Sequence, residues 1–486
     1  MKVQSVQFNY LLNVIRIGVT TLLGLASMPY INKTLGVDSV GKYEFINSII
    51  TYFVLFSALG IPTYGIREIA KTRDNLKERS KITIELFIIL IITNIISYLL
   101  LFVILFNTPA LHSYKTLIYT ICPIIFFTSL SFEWFYQGIE NQLYITVRTV
   151  IIRTLTLFAL FYFIESKDDY IIYAAILTIG IIVGNIFNLF YLRNFISLKS
   201  FTFKEINIKR HINGVLTIFL ATISISIYLQ IDSTLLGIYG SEYNVGLYTT
   251  SNKLIRLAIL FVTTIGAVML PRLSYLYQNN DLDLYYKYLE NSLKYILLIS
   301  CPLVSLTFGL SKEIILIMAG EEFTRSILPM KILSILVFII GLSYYFAFMI
   351  LYPKGKEKTY TIIVFCSAVI SIILNVLLIP KYFEVATAIV TVIVELIGLL
   401  LMIYFCRKDV SKIKLFNYDN LSIIFAGIVM LIPIYIIENL ELGNIEKVLI
   451  STITSLLLFV FILLLTKNPT ITLLYNIFTN TVKNKK

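Results

Sequence analysis

Seven basic side chains stand inside apolar stretches of this chain: Arg16, Arg148, Arg153, Lys253, Arg256, Lys294 and Lys331. A cation at the centre of a bilayer costs about 2.5–3.5 kcal/mol on insertion scales, so such residues face a bundle interior or a wet cavity rather than lipid. By their place in the runs, Arg16, Arg153 and Arg256 sit deepest. Lys253 and Arg256 are three residues apart and share a helix face. Lys294 and Lys331 fall within two turns of a run's end, where a long stem also reaches the interface by snorkelling. The clearest intramembrane acids are fewer, Glu133, Asp232 and Glu395, with Glu44, Glu85 and Glu290 nearer the ends of runs. Three acids can neutralise three of the deep cations as structural bridges, but not all of them. The balance points to an anion-accepting cavity. Arg16, Arg148, Arg153, Lys253, Arg256 and Lys294 are the candidate binding residues, and Asp232, Glu395 and Glu133 are candidate ion-coupling or structural acids. Several Arg and Lys converging from different helices suit a multivalent anion such as a pyrophosphate. No metal-ligand spacing and no catalytic constellation accompanies them.

The elements that must carry these residues follow from composition. Of 486 residues, 58% are hydrophobic and 14% charged, with mean hydropathy +0.86. A soluble domain carries roughly 25% charged residues. In lipid every backbone group must be satisfied internally, which leaves helices or closed barrels. Barrel strands alternate apolar and polar residues over about ten positions. The runs here are continuous and about twice as long, so the fold class is all-α and polytopic, with about fourteen spans. They fall at about 9–31, 43–65, 82–106, 115–137, 143–164, 170–192, 213–236, 248–271, 288–310, 327–350, 358–379, 383–405, 421–437 and 447–466. The fifth carries Arg148 and Arg153, and the thirteenth is short. Asn13 and Arg16 interrupt the first run, which reads as a retained span rather than a cleaved signal.

Loop charge orients the chain. Six cations crowd 66–81 (Arg67, Lys71, Arg73, Lys77, Arg79, Lys81) and five crowd 193–212 (Arg193, Lys199, Lys204, Lys209, Arg210). Alternate loops hold only scattered ones, such as Lys33, Lys42, Lys115 and Lys167. The positive-inside rule then places both termini in the cytoplasm. The net charge of +12 is thereby a topology signal, and a nucleic-acid partner is unnecessary. Cys122, Cys301, Cys366 and Cys406 show no CxxC spacing and no disulfide framework. His112 and His211, in loops far apart, read as solvated. Trp134, the only tryptophan, lies at the end of the fourth span and reads as part of an aromatic belt.

The chain also repeats itself. The turn LGVDSVGKY at 35–43 matches YGSEYNVGLY at 239–248: a Gly, an acid two residues on, then Val-Gly-x-Tyr. Pro62 with Arg67 corresponds to Pro271-Arg272. The offset of about 205 residues is six helices, and an even number gives parallel repeats about an axis along the membrane normal. The expected organisation is a lobe at 1–205, a second at 206–410, and two appended spans with a cytoplasmic tail at 411–486, the lobes enclosing a central cavity.

Five segments sharpen this reading: LGVDSVGKY at 35–43, LGIPTYGIREIAKTRD at 59–74, FEWFYQGIEN at 132–141, QIDSTLLGIYGSEYNVGLYTTSNKL at 230–254 and MLPRLS at 269–274. In these the chain resembles the polysaccharide flippases of the MOP (multidrug/oligosaccharidyl-lipid/polysaccharide) exporter superfamily, the Wzx type of O-antigen, lipopolysaccharide and capsule biosynthesis. The resemblance runs end to end. It implies a two-lobed twelve-helix core and, as substrate, an undecaprenyl-pyrophosphate-linked oligosaccharide repeat unit carried to the outer leaflet of a bacterial inner membrane. It also implies alternating access without covalent chemistry, with membrane lipids as surroundings and the polysaccharide polymerase machinery as a partner. Asp232 matches the acid of the family's seventh helix. No cofactor is implied beyond proton or sodium coupling. Three other classes compete. A multidrug or cation exporter of the same superfamily would show twelve spans and an acid-rich interior. A polysaccharide polymerase would carry a long outer loop with its active residues, whereas the longest outer connection here is about sixteen residues. A non-transporting scaffold or lipid-binding receptor would need no deep cations on opposed helices.

Overall fold

The apolar runs become helices because a chain in lipid has no other donor or acceptor than its own backbone. The computed structural model describes residues 6–469, apart from 414 and 416, and the tail cations beyond 469 lie outside the described residues. Among the described residues there is no strand, and eleven helical stretches are long and apolar enough to cross a membrane. Two of the eleven hold two expected spans each. The first and second lie in Val6–Ala58, broken at Gly36 (φ 72°, ψ 176°), and the eleventh and twelfth in Glu357–Phe405, broken at Phe383 (φ 48°, ψ −126°). The seventh lies in Lys209–Tyr239. The weakly apolar fifth is the helix Gln142–Phe163, and the short thirteenth is Tyr418–Val429 continued by Leu431–Glu438.

Local chemistry sets where helices begin. Asn75, Ser241, Asp281 and Asn417 each precede a helix and accept a backbone N–H of its first turn with their side chains. Each such cap is worth about 1 kcal/mol. At Gly36 the backbone enters a region open essentially to glycine alone.

The chain divides into two units, Met1–Gly237 and Ile238–Lys486. This division falls within the Lys209–Tyr239 helix, whereas helix counting alone puts the lobe boundary at 205/206. In the first unit, Val6–Ala58 packs along Gln142–Phe163 and also against Leu76–Asn107 and Pro123–Ser129. In the second, Glu242–Gln278 packs on Leu282–Gly309 and Leu336–Tyr344, and Tyr418–Val429 joins Leu282–Gly309 to Asn444–Leu465. Large apolar side chains such as Phe106, Tyr162 and Leu457 point outward, as a lipid-facing surface requires. Small hydroxyls tie helices inside: Thr93 Oγ1 donates to the Ser57 carbonyl and Ser305 Oγ to that of Gly427, both at 2.6 Å.

The two similar turns are used alike. Ser39 Oγ donates to the Lys167 carbonyl at 2.6 Å, just before the sixth span; Asn244, 205 residues on, donates Nδ2–H to Glu384 at 2.7 Å, just after the break that opens the twelfth. Tyr43 lies edge-on to Tyr173 of the sixth span, and Tyr248 meets Thr391 of the twelfth.

Two sequence readings are corrected. Trp134 is not in an interfacial belt: it is 2% exposed, inside an apolar cluster with Ile69, Leu86, Phe132 and Phe135. Its ring lies so close to Gly65 that a Cβ there would stand 2.4 Å from it. The short helix Ile61–Lys71 packs on Glu133–Gly138 and so covers the indole. His211 is not solvated either, for reasons given below.

Candidate functional site: a guanidinium cluster in the first unit

Glu133 is placed by an irregular stretch of backbone. The fourth span is interrupted after Ser129, and Phe132 takes left-handed torsions (φ 51°), unusual for a bulky residue. Its ring is buried and stacked 5.9 Å from that of Phe87, which holds the bend. Glu133 then opens the helix Glu133–Gly138, where free N–H groups favour a carboxylate.

Two guanidinium groups share that carboxylate. Arg148, from Gln142–Phe163, pairs with Oε1 of Glu133, and Arg16 stands 3.7 Å from Oε2. The remaining contacts fix the two groups. Arg148 donates from Nη1 to the Gly184 carbonyl and from Nη2 to Thr149, both at 3.1 Å. Arg16 donates to Asn13 at 2.8 Å, and Asn13 also accepts from Gln142. The Arg148 side chain is only 9% exposed. Nε of both arginines lacks a hydrogen-bond partner among the described residues.

Glu133 and Arg148 border a cavity of about 280 Å³, to which Arg153 contributes about one and a half turns further along the helix. Thr128, Ser131, Thr149, Thr156 and Asn185 give it polar walls. Gly180 and Gly184 open it, the first lying so near Thr156 that a Cβ would come within 2.6 Å of the hydroxyl. Arg153 itself is exposed and makes no ion pair or hydrogen bond among the described residues. Arg16 and Arg148 thus share one carboxylate, and the charged lining of the cavity, Arg148, Arg153 and Glu133, is positive by one. Guanidinium groups so placed have the forked donor geometry that suits an anion of more than one oxygen.

The other expected site residues are distributed differently. Lys253 and Arg256 lie together on Glu242–Gln278 in the second unit, Lys253 exposed and Arg256 half-buried. Lys294 is tied at 2.7 Å to Asp419, joining Leu282–Gly309 to the thirteenth span. Lys331 lies over the Phe308 ring. Asp232 is buried on Lys209–Tyr239. Glu395 is half-buried in the twelfth span.

Three buried charge networks escaped the sequence reading. Glu85 is fully buried and accepts from Arg210 Nη2 at 2.5 Å, His211 Nε2 at 2.8 Å and the Asn207 N–H at 2.6 Å. Nδ1 of His211 meets the Tyr64 hydroxyl at 2.8 Å, so this histidine is 2% exposed rather than solvated. In the second unit, buried Glu384 holds Arg325 and Asn244, each at 2.7 Å. Asp409 pairs with Lys354 and accepts from Tyr286. The sequence signal available was a lone acid beside or inside an apolar run; the partners come from elsewhere in the chain and carry none.

Comparison with known proteins bears on this arrangement. A family profile described as "Polysaccharide biosynthesis protein" matches residues 8–277, and one for "Lipid II flippase MurJ" matches residues 150–453. A putative O-antigen transporter of Escherichia coli (strain K12) is 23% identical over 402 residues, covering 81% of this chain and 94% of the relative. Among solved structures, the lipid II flippase MurJ in an inward closed conformation superposes with TM-score 0.72 at 19% identity, covering 93% of this chain and 98% of the other. A multidrug resistance MATE family transporter of the MOP superfamily, inward-facing, superposes with TM-score 0.64 at 15% identity, covering 82% and 98%. At these identities the structural likeness establishes the fold.

Proposed function

This chain belongs to the polysaccharide biosynthesis protein family, and from that premise we propose that it is a flippase that carries lipid-linked oligosaccharide repeat units from the cytoplasmic to the outer leaflet of a bacterial inner membrane. The observation that carries the reading is the Arg16–Glu133–Arg148 cluster, with Arg153, beside a polar cavity. An undecaprenyl pyrophosphate presents several anionic oxygens, and paired guanidinium forks match them better than point charges do. Glu133 keeps Arg16 and Arg148 extended and close together when the site is empty, so less ordering is needed on binding.

The proposed topology, with both termini cytoplasmic, gives the cluster a direction. Arg148 lies six residues into its helix, about 9 Å at 1.5 Å per residue. Arg16 lies at a similar depth in the first span. The cluster then occupies the cytoplasmic half of the membrane, where the lipid-linked unit is made, and Arg153 lies deeper. The lobes rock, the headgroup passes through a wet path, and the isoprenoid stays in lipid. No bond is made or broken. Moving the sugars through hydrocarbon unaided would cost several kcal/mol for each unpaired polar group. Polymerase machinery consuming the product outside would give the process direction.

The fold likeness to a multidrug exporter supports a second reading, export of organic cations, but a cavity with excess positive charge opposes that cargo. The test is outer-leaflet accessibility of the lipid-linked repeat unit in cells unable to polymerise it. Depleting the protein should trap the unit inside. Arg16→Ala and Arg148→Ala should each lower flipping at least tenfold with insertion intact. Flipping at the wild-type rate in both variants removes the cluster from the mechanism; a unit that still appears outside after depletion removes the flippase reading.

A further inference from the structure

The connections that the proposed topology places outside are poor in cations, and Arg325 is their one arginine. It stands at a pocket of the second unit. The short turn Glu321–Ser326 runs straight into the helix Ile327–Ser334. Ser326 pins the junction: its hydroxyl donates to the Leu247 carbonyl at 2.9 Å, and its carbonyl accepts from Ser251 Oγ at 2.7 Å. The other wall is the break at Phe383, after which Glu384 lies buried. Between them is a space of about 460 Å³, lined by Thr324, Arg325, Leu328, Lys331, Glu384 and Val385 among others.

The charges there do not balance. Both oxygens of Glu384 are occupied, Oε1 by Arg325 Nη2 and Oε2 by Asn244, each at 2.7 Å. Arg325 keeps Nη1 and Nε without hydrogen bonds among the described residues, and its side chain is 57% exposed. Lys331 is half-buried inside the tenth span, and its ammonium makes no ion pair or hydrogen bond among the described residues; it stands 5.9 Å from the Phe308 ring. Glu321 and Glu322 share the turn but do not line the pocket. The charged lining is thus positive by one. A cation at membrane depth without a counter-charge is costly, and such residues mark ligand paths. Side chains on a helix lean toward its N-terminus, so Lys331 is directed back over Leu328 toward the turn that holds Arg325. The open side is apolar: Leu328 and Phe308 are about half exposed. A cationic pocket with an oily rim suits an anion that is attached to a lipid, and basic pockets between membrane helices hold lipid headgroups for this reason.

We infer that this pocket is a release site, where the pyrophosphate of the delivered lipid docks in the outer leaflet before it leaves. Lys331 supplies the counter-charge, and Arg325, held in place by Glu384, donates from Nη1 and Nε. The inference rests on the flippase reading and adds a second anion site, in the second unit and apart from the arginine cluster of the first. A diphosphate has two phosphoryl groups to offer to the two cations, whereas the phosphodiester of a bulk phospholipid has one.

The test uses the full-length protein in nanodiscs and a polyprenyl pyrophosphate with a diazirine on its first isoprene unit. Photolabelling should fall on Leu328 and Val385. Lys331→Gln should lower it about tenfold, the worth of one hydrogen bond to a charged group, and Lys331→Arg should restore most of it. Leu328→Trp, which fills the pocket from its open side, should lower labelling of Val385 to a similar degree; it serves if Lys331→Gln is not recovered. Labelling in the first unit should be unchanged in all three variants. A diazirine polyprenol without phosphate and a diazirine phosphatidylglycerol should both label the pocket far less. Equal labelling by the phosphatidylglycerol makes the pocket a seat for bulk anionic phospholipid and overturns the release site. Equal labelling by the polyprenol, or labelling that survives Lys331→Gln, overturns it too. None of these results touches the flippase reading, which stands or falls on outer-leaflet accessibility of the repeat unit in cells.

Discussion

Glu85 shows what a single charge does in this protein. It is fully buried and gathers Arg210, His211 and a backbone N–H, with Tyr64 behind the imidazole. Removing one partner of a buried ion pair leaves the others uncompensated, at a cost of about 3–5 kcal/mol. Glu85→Gln should therefore lower the unfolding midpoint in detergent markedly and loosen the start of the Lys209–Tyr239 helix, read by faster amide exchange at 209–215. A midpoint within a degree of wild type would mean the network is neutral in stability. Glu133 has the opposite role. It pairs with two arginines beside a cavity whose charged lining remains positive, so it organises a site more than it anchors a helix. The contrast between the two acids lies in their partners: Glu85 closes its charges within the protein, while Glu133 leaves an excess.

At the scale of elements, helix breaks decide the architecture. Gly36 divides one 53-residue helix at φ 72°, ψ 176°, a conformation that side chains resist by about 1–3 kcal/mol. Gly36→Ala should destabilise the protein by that amount. Gly18→Ala, in the same helix with open space around its Cβ, should be neutral or stabilising by roughly 0.5–1 kcal/mol. Thermal unfolding of both variants in one detergent checks the pair; equal shifts would mean the break at Gly36 tolerates a side chain. Phe132 and Phe383 achieve comparable breaks without glycine. Phe132 is held by burial and ring stacking, and next to Phe383 the Glu384 carboxylate is tied to Arg325 and Asn244. Each of these two breaks adjoins an ion-paired acid, the partly exposed Glu133 in one unit and the buried Glu384 in the other. The likeness of the turns at 35–43 and 239–248, each closing on the sixth span of its half, extends the same economy of construction to the two halves.

For the molecule as a whole, net transport in one direction needs a driving force. We propose that proton or sodium coupling runs through Asp232 or Glu395, intramembrane acids outside the arginine cluster. In proteoliposomes, an imposed proton or sodium gradient should accelerate flipping by the wild-type protein, and Asp232→Asn or Glu395→Gln should abolish the acceleration while leaving the gradient-free rate intact. Insensitivity of the wild type to both gradients would leave consumption of product as the only drive.

What the amino-acid sequence determined by itself is set by solvent and periodicity. Long apolar runs have one outcome in lipid, so the all-α membrane fold followed from composition, and the weak fifth and thirteenth spans are helices because their flanks leave no alternative. The number of separate stretches did not follow, since hydropathy does not register whether a turn between spans is a loop or a single non-helical residue. The flippase resemblance was also legible, carried by turns whose residue types are constrained by backbone geometry. Which charges meet was decided by tertiary structure alone. Arg16, Glu133 and Arg148 come from three helices more than a hundred residues apart at the extremes, and nothing local distinguishes them from Lys294, which ends on Asp419 instead. Trp134 and His211 looked like interface and solvent residues, and both are buried, because burial depends on what a distant helix lays over them. Hydropathy reports the cost of moving a residue out of water; only packing supplies the partner that offsets it.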